Sequence, residues 1–190
     1  LNELYPCYWG QLFLHKGDIY ILSCSTEYGD LLISKSPDGG VTFPAPVSIL
    51  RGSNETGVGV HKSPQNMLYY NGRLYASLEW GSWHNEEYHH AAMMMSCDEN
   101  ADLLVPENWS FTEPKKFTPK DATELKDMPE CTMAIEGTPV VSPDGKLLNV
   151  MRFAKPGHAI VYEANANDPE QILKYSKCIK FDGHASKFMI

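Results

Sequence analysis

The chain has 190 residues, 43% of them hydrophobic, which is enough for an ordinary buried core. Sixteen Lys and Arg against 24 Asp and Glu leave a net charge of −8 with no basic run, which argues against nucleic acid or an anionic membrane surface as a partner. No apolar stretch approaches the roughly 20 residues of a membrane span, and five scattered cysteines without a C-x-x-C pair give neither a disulfide framework nor a zinc ribbon.

In chain order, the first unit is "QLFLHK", a K-G turn at 16–17, "GDIYILSC" at 17–24, then "LLISKS". The second is "NMLYYN", an N-G turn at 71–72, "GRLYASLE" at 72–79, then "HAAMMMS". The third is "TPVVSPD", a P-D-G turn at 143–145, "GKLLNVMR" at 145–152, then "HAIVYEA". Each reads as strand, tight turn, strand, loop, strand, anchored on Gly17, Gly72 or Gly145. Antiparallel repeats of about 40–50 residues point to propeller blades. The stretch "DPEQILKYSK" at 168–177 reads as loop and strand from its place in the repeat.

After the first unit comes "SPDGGVTF" at 36–43. In a turn of this kind the Asp accepts hydrogen bonds from the turn's own backbone, a Gly supplies positive φ, and the aromatic plugs between sheets. The second unit has a stretched version in Ser96, Asp98, Trp109 and Phe111; in the third, Ala164 and Ala166 stand where Ser and Asp would. With the repeat around it, this motif resembles the Asp-box turn of the sialidase superfamily of β-propellers. The resemblance implies an all-β propeller, six-bladed in the family. About three blades are expected in this chain, near 5–50, 60–118 and 136–181, with the start of a further one at 182–190. The remaining blades are expected from a longer chain or a second copy, because an open propeller exposes sheet faces and edges.

The "SPDGK" turn suits a three-residue loop, and counting outward from it sets Glu136 directly across from Arg152. By resemblance, Glu136 assists a tyrosine nucleophile and Arg152 grips a substrate carboxylate, for which its guanidinium fork is suited. The family's arginine-isoleucine-proline motif is absent, and no tyrosine matches its nucleophile. Glu79 shares Arg152's register, seven residues after the anchor glycine, and His61 precedes the same hairpin. The loop "EWGSWHNEEYHH" supplies Trp80, Trp83, His89 and His90 as platforms and polar contacts for a sugar. His184, in "FDGHASKF", is a further candidate contact. A metal set of His84, His89, His90 and Cys97 fits no standard spacing, and neither metal nor cofactor is called for.

The expected function is a sialidase-type glycoside hydrolase acting on an acidic or substituted sugar. The alternatives are a lyase on uronate-containing glycans, using His61, His89 or His90 with Arg152, and a carbohydrate-binding propeller without activity. The family resemblance alone favours a secreted or periplasmic location.

Overall fold

The computed structural model describes residues 6–53, 57–118, 120–122, 125, 133–153, 157–180 and 187. Among the described residues thirteen strands form three antiparallel sheets, and helical structure is limited to 3-10 geometry, in the turn Pro106–Asn108 and at Leu125. The first sheet runs β1 (Tyr8–His15), β2 (Asp18–Cys24), β3 (Leu31–Lys35), β4 (Val47–Leu50). The second has β5 (Gly59–His61), β7 (Arg73–Gly81), β8 (Ala91–Asp98) and β9 (Trp109–Phe111), with β6 (Leu68–Tyr70) also on β7. The third is β10 (Ala134–Val141), β11 (Leu147–Phe153), β12 (His158–Glu163) and β13 (Lys174–Lys180). These are three blades of a β-propeller. Each carries a further outer strand, β4, β9 or β13; of these only β13 is expected from the sequence, in the loop and strand read over 168–177.

The turns hold these strands as their residue types dictate. Lys16-Gly17 and Asn71-Gly72 have positive φ at both positions (51° and 86°, 48° and 71°), the twist that joins right-twisted strands with two residues. In "SPDGK", Ser142 N donates to Lys146 O (2.9 Å) and Gly145 takes φ 80°, the three-residue loop expected. In "SPDGGVTF", Asp38 accepts from Thr42 N (2.8 Å) and Thr42 Oγ1 (2.6 Å), and Phe43 is buried.

Packing explains why β7 and β8 are buried along almost their whole length. Side chains alternate across a strand, so Met93 and Met95 face the first blade's Leu22, Leu31 and Ile33, while Met94 faces the third blade's Leu147, Met151 and Tyr162. The middle blade is thus cored on both faces, each such side chain contributing about 1.5–3 kcal/mol. On β1 the alternation leaves Leu12 and Leu14 61% and 66% exposed while Phe13 and His15 are buried.

Two details depart from the sequence reading. Arg152 pairs with Ile135, not Glu136, because Glu136 and Gly137 together oppose Met151 in a β-bulge. The second blade's inner strand is split: β5 and β6 pair with opposite ends of β7, and residues 62–67 loop out between them.

Candidate active site

The blades meet where β1, β5 and β10 begin and β2, β7 and β11 end. At this end, the residue seven after each anchor glycine pairs with the inner strand: Cys24 with Tyr8, Glu79 with His61, Arg152 with Ile135. The next inner residue is Trp9, Lys62 or Glu136. The shared register therefore brings unlike side chains into one ring.

Glu79 is fully buried. Its Oε2 lies 2.7 Å from His61 Nδ1, and its Oε1 accepts from the backbone N–H of Glu136 (2.7 Å) and of Gly137 (3.4 Å). The bulge makes this possible by turning two consecutive N–H groups toward the neighbouring blade. A Cβ at Gly137 would overlap Ser77 Oγ, Asn149 Oδ1 and Met151 Sδ, so any side chain there would have to displace all three. Glu136 is itself buried, with Oε2 2.5 Å from Arg152 Nη1 and Oε1 3.0 Å from Lys187 Nζ. The pairing of Glu136 with Arg152 survives the register shift because the bulge swings the Glu136 side chain back over its partner.

A second group stands beside the first. Tyr28, in the loop between β2 and β3, bonds through its hydroxyl to His90 Nε2 (3.2 Å). The His61 and His90 rings meet edge to face at 5.1 Å, Tyr28 lies 6.1 Å from His61, and Trp83 is 4.4 Å from His90 and 5.4 Å from His89. Six non-glycine residues with positive φ occur among the described residues. Lys16 and Asn71 serve hairpin turns; the other four, Trp9, Tyr28, His90 and Glu136, surround this site. Backbone strain of that kind concentrates where a site is held in a fixed geometry.

The electrostatics divide the two histidines. Burial would lower the His61 pKa, but the hydrogen bond and charge of Glu79 outweigh it and raise the value above 6.5. His90 is pushed down to about 3 by burial and by the neighbouring His61 and His89, so its imidazole is neutral. Burial first, and then the adjacent Glu27, raise the Tyr28 phenol, which keeps its proton. The site thus offers a carboxylate-oriented imidazole, a protonated phenol, a neutral imidazole and two cations.

The structure brings together His61, Glu79, His90, Glu136 and Arg152, with His89 and the 45% exposed Trp83 on the flank. Trp80 instead packs against the core between the first two blades. His184 lies outside the described residues. The metal grouping is not assembled: Cys97 sits at the far end of β8 from His90, roughly 23 Å of extended chain away, and among the described residues no cluster of three or more His, Cys, Asp or Glu could hold an ion. Sequence reasoning missed Trp9, Tyr28, Lys62 and Lys187. One signal was available, the echo of Glu136-Gly137 in Trp9-Gly10 at the same register. Tyr28 had none, since a loop residue has no register.

No protein-family model matches the chain, and no curated protein matches it. Solved structures do. An α-L-arabinofuranosidase from Lactobacillus brevis aligns over 93% of this chain with a TM-score of 0.56 and 18% identity. An exo-β-1,3-galactanase from Clostridium thermocellum aligns over 90% with 0.58 and 12%. An ulvan lyase of polysaccharide lyase family PL25 aligns over 86% with 0.52 and 16%. The chain spans 57%, 36% and 44% of those proteins' lengths. At these identities the likeness establishes the propeller fold.

Proposed function

We propose that this chain forms part of a carbohydrate-active enzyme acting on an anionic glycan, by proton abstraction and β-elimination at a uronate. The observation that carries the reading is the convergence of Arg152 and Lys187 with the His61–Glu79 and Tyr28–His90 pairs in one site. Arg152 and Lys187 hold and neutralise the sugar carboxylate, which acidifies the adjoining C5–H. His61, oriented by Glu79 through Nδ1, takes the C5 proton on Nε2. The electron pair of the C–H bond becomes the C4–C5 double bond, the C4–O bond breaks, and Tyr28 gives its phenolic proton to the departing oxygen. Trp83 stacks on the ring of a flanking sugar. The solved structures with this fold include both glycosidases and a polysaccharide lyase, which supports a glycan substrate for either chemistry.

Sialidase-type hydrolysis is a second reading, favoured by the Glu136–Arg152 pair at the places that family would give them. Elimination fits better. Sialidase-type hydrolysis needs Glu136 to assist a tyrosine nucleophile, but the Glu136 oxygens are taken by Arg152 and Lys187, and Tyr28, the tyrosine at this site, bonds to His90.

His61→Gln and Tyr28→Phe should each lower kcat about 10²–10⁴-fold on a uronate polysaccharide with little change in KM. Wild-type turnover should give an unsaturated product absorbing in the ultraviolet, at a rate that climbs with pH above 6.5 as His61 loses its proton. New reducing ends without that absorbance would establish hydrolysis, and retained binding with no turnover would establish a lectin-like propeller.

A further inference from the structure

Among the equivalent positions of the ring, Lys62 is a buried charged group with no part in the chemistry above. Lys62 is 2% exposed, and its Nζ donates to the carbonyl of Trp9 (2.8 Å), across the join between the first two blades. Trp9 holds a left-handed backbone, φ 50°, at the bulge of β1. Above its indole lies Lys187, Nζ 3.3 Å from the ring centroid, and the same amine reaches Glu136 Oε1 at 3.0 Å. The contacts close a circuit: Lys62 ties the second blade to Trp9 of the first, Trp9 supports Lys187 against Glu136 of the third, and Glu79 of the second holds the Glu136 backbone.

We propose that Lys62 is a positioning residue, which holds the strained Trp9 backbone so that the indole supports Lys187 as a cation of the anion-binding site. The proposal rests on the anionic-glycan reading for its ligand but not for the Lys62–Trp9–Lys187 linkage itself. The groups facing Lys62 are the Trp9 carbonyl, Cys24 of β2, Glu79 of β7 and Cys7. Among the described residues no carboxylate lies within ion-pair distance of its amine. A buried amine with one acceptor is a costly way to fill space. Burial lowers its pKa to about 8, with Cys24, Glu79 and Cys7 opposing. A strut alone would be better made of methionine.

That contrast defines the test. Lys62→Met, Lys62→Gln, Lys187→Met and the Lys62→Met/Lys187→Met double variant are compared in urea midpoint, in affinity for glucuronic acid, and in near-ultraviolet circular dichroism referenced to Trp9→Phe. We expect Lys62→Met to keep or raise the urea midpoint while weakening glucuronic acid about tenfold and diminishing the Trp9 band. Adding Lys187→Met should then weaken binding no further, and Lys62→Gln, which retains a donor, should restore most of the affinity and the band. A lowered midpoint with an unchanged Trp9 band, or losses that multiply in the double variant, would make Lys62 an independent strut and overturn the proposal. If wild type does not bind glucuronic acid, the anionic-sugar reading fails on its own, and the dichroic band still decides whether Lys62 holds Trp9.

Discussion

At the scale of residues, one fold places two histidines 5.1 Å apart and drives their pKa values in opposite directions. The difference lies in their partners. His61 has the buried carboxylate of Glu79, and His90 has a phenol on Nε2 and no hydrogen-bond partner on Nδ1 among the described residues. The linkage to stability follows in sign. His61, raised above 6.5, contributes stability that is fully present below 6.5 and is lost as pH rises through its folded value. His90, lowered to about 3, stays neutral while the unfolded chain takes up a proton near 6.5, so stability falls as pH drops from 6.5 toward 3. Urea midpoints measured from pH 4 to pH 9 should therefore lose part of their acid-side slope in His90→Gln, the rest coming from groups such as His15 and His89 whose values are also lowered, and part of their alkaline-side slope in His61→Gln; the same slopes in both variants as in wild type would contradict the assignment. Most of these residues were legible in the sequence, since His61, Glu79, His90, Glu136 and Arg152 stand out as titratable groups near strand ends. Their roles were not: Glu79 looks like a reacting carboxylate in the sequence and is fully buried behind His61 in the fold.

Among the elements, the bulges decide the site. Register counted from the "SPDGK" turn is right as far as Thr138, which pairs with Val150, and fails at the next pair. A single extra residue in β10 cannot be read from alternation, because Ala134–Val141 carries no break in its apolar pattern beyond Glu136-Gly137 itself. Yet that residue turns the Glu136 and Gly137 N–H groups onto Glu79 and carries the Glu136 carboxylate to Arg152. Gly137→Ala would force a Cβ against Ser77, Asn149 and Met151 and should cost about 1–3 kcal/mol, as overpacking does. Because the same change displaces the Glu136 backbone, turnover should fall along with the urea midpoint. A variant with normal turnover and stability would show that the bulge is not held by this contact. The outer strands of the first two blades escaped the sequence reading for a related reason: β4 and β9 have four and three residues, too few for a period to register, whereas the seven-residue β13 is read as a strand.

For the whole molecule, the antiparallel three-blade organisation was legible because it is written redundantly, in three anchor glycines, three turns and three apolar triplets of strands. The middle blade makes two cores from one run of methionines, and the site forms where all three blades contribute one wall each. The second and third blades supply the carboxylates, Arg152 and both histidines, and the first supplies Trp9 and Tyr28. No single blade contains a complete set, which is why motif reading within one repeat could find candidates but not the assembly.

The central claim is that this assembly grips an anionic sugar through Arg152. Calorimetric titration with a uronate oligosaccharide and with its carboxyl-reduced counterpart, on wild type and Arg152→Met, tests it directly. A charge-assisted hydrogen bond is worth about 1.5–3 kcal/mol. Wild type should therefore prefer the carboxylate roughly tenfold to a hundredfold, and Arg152→Met should lose most of that preference, keeping only the share that Lys187 supplies. Equal affinities in wild type, or a preference undiminished in Arg152→Met, would contradict the account.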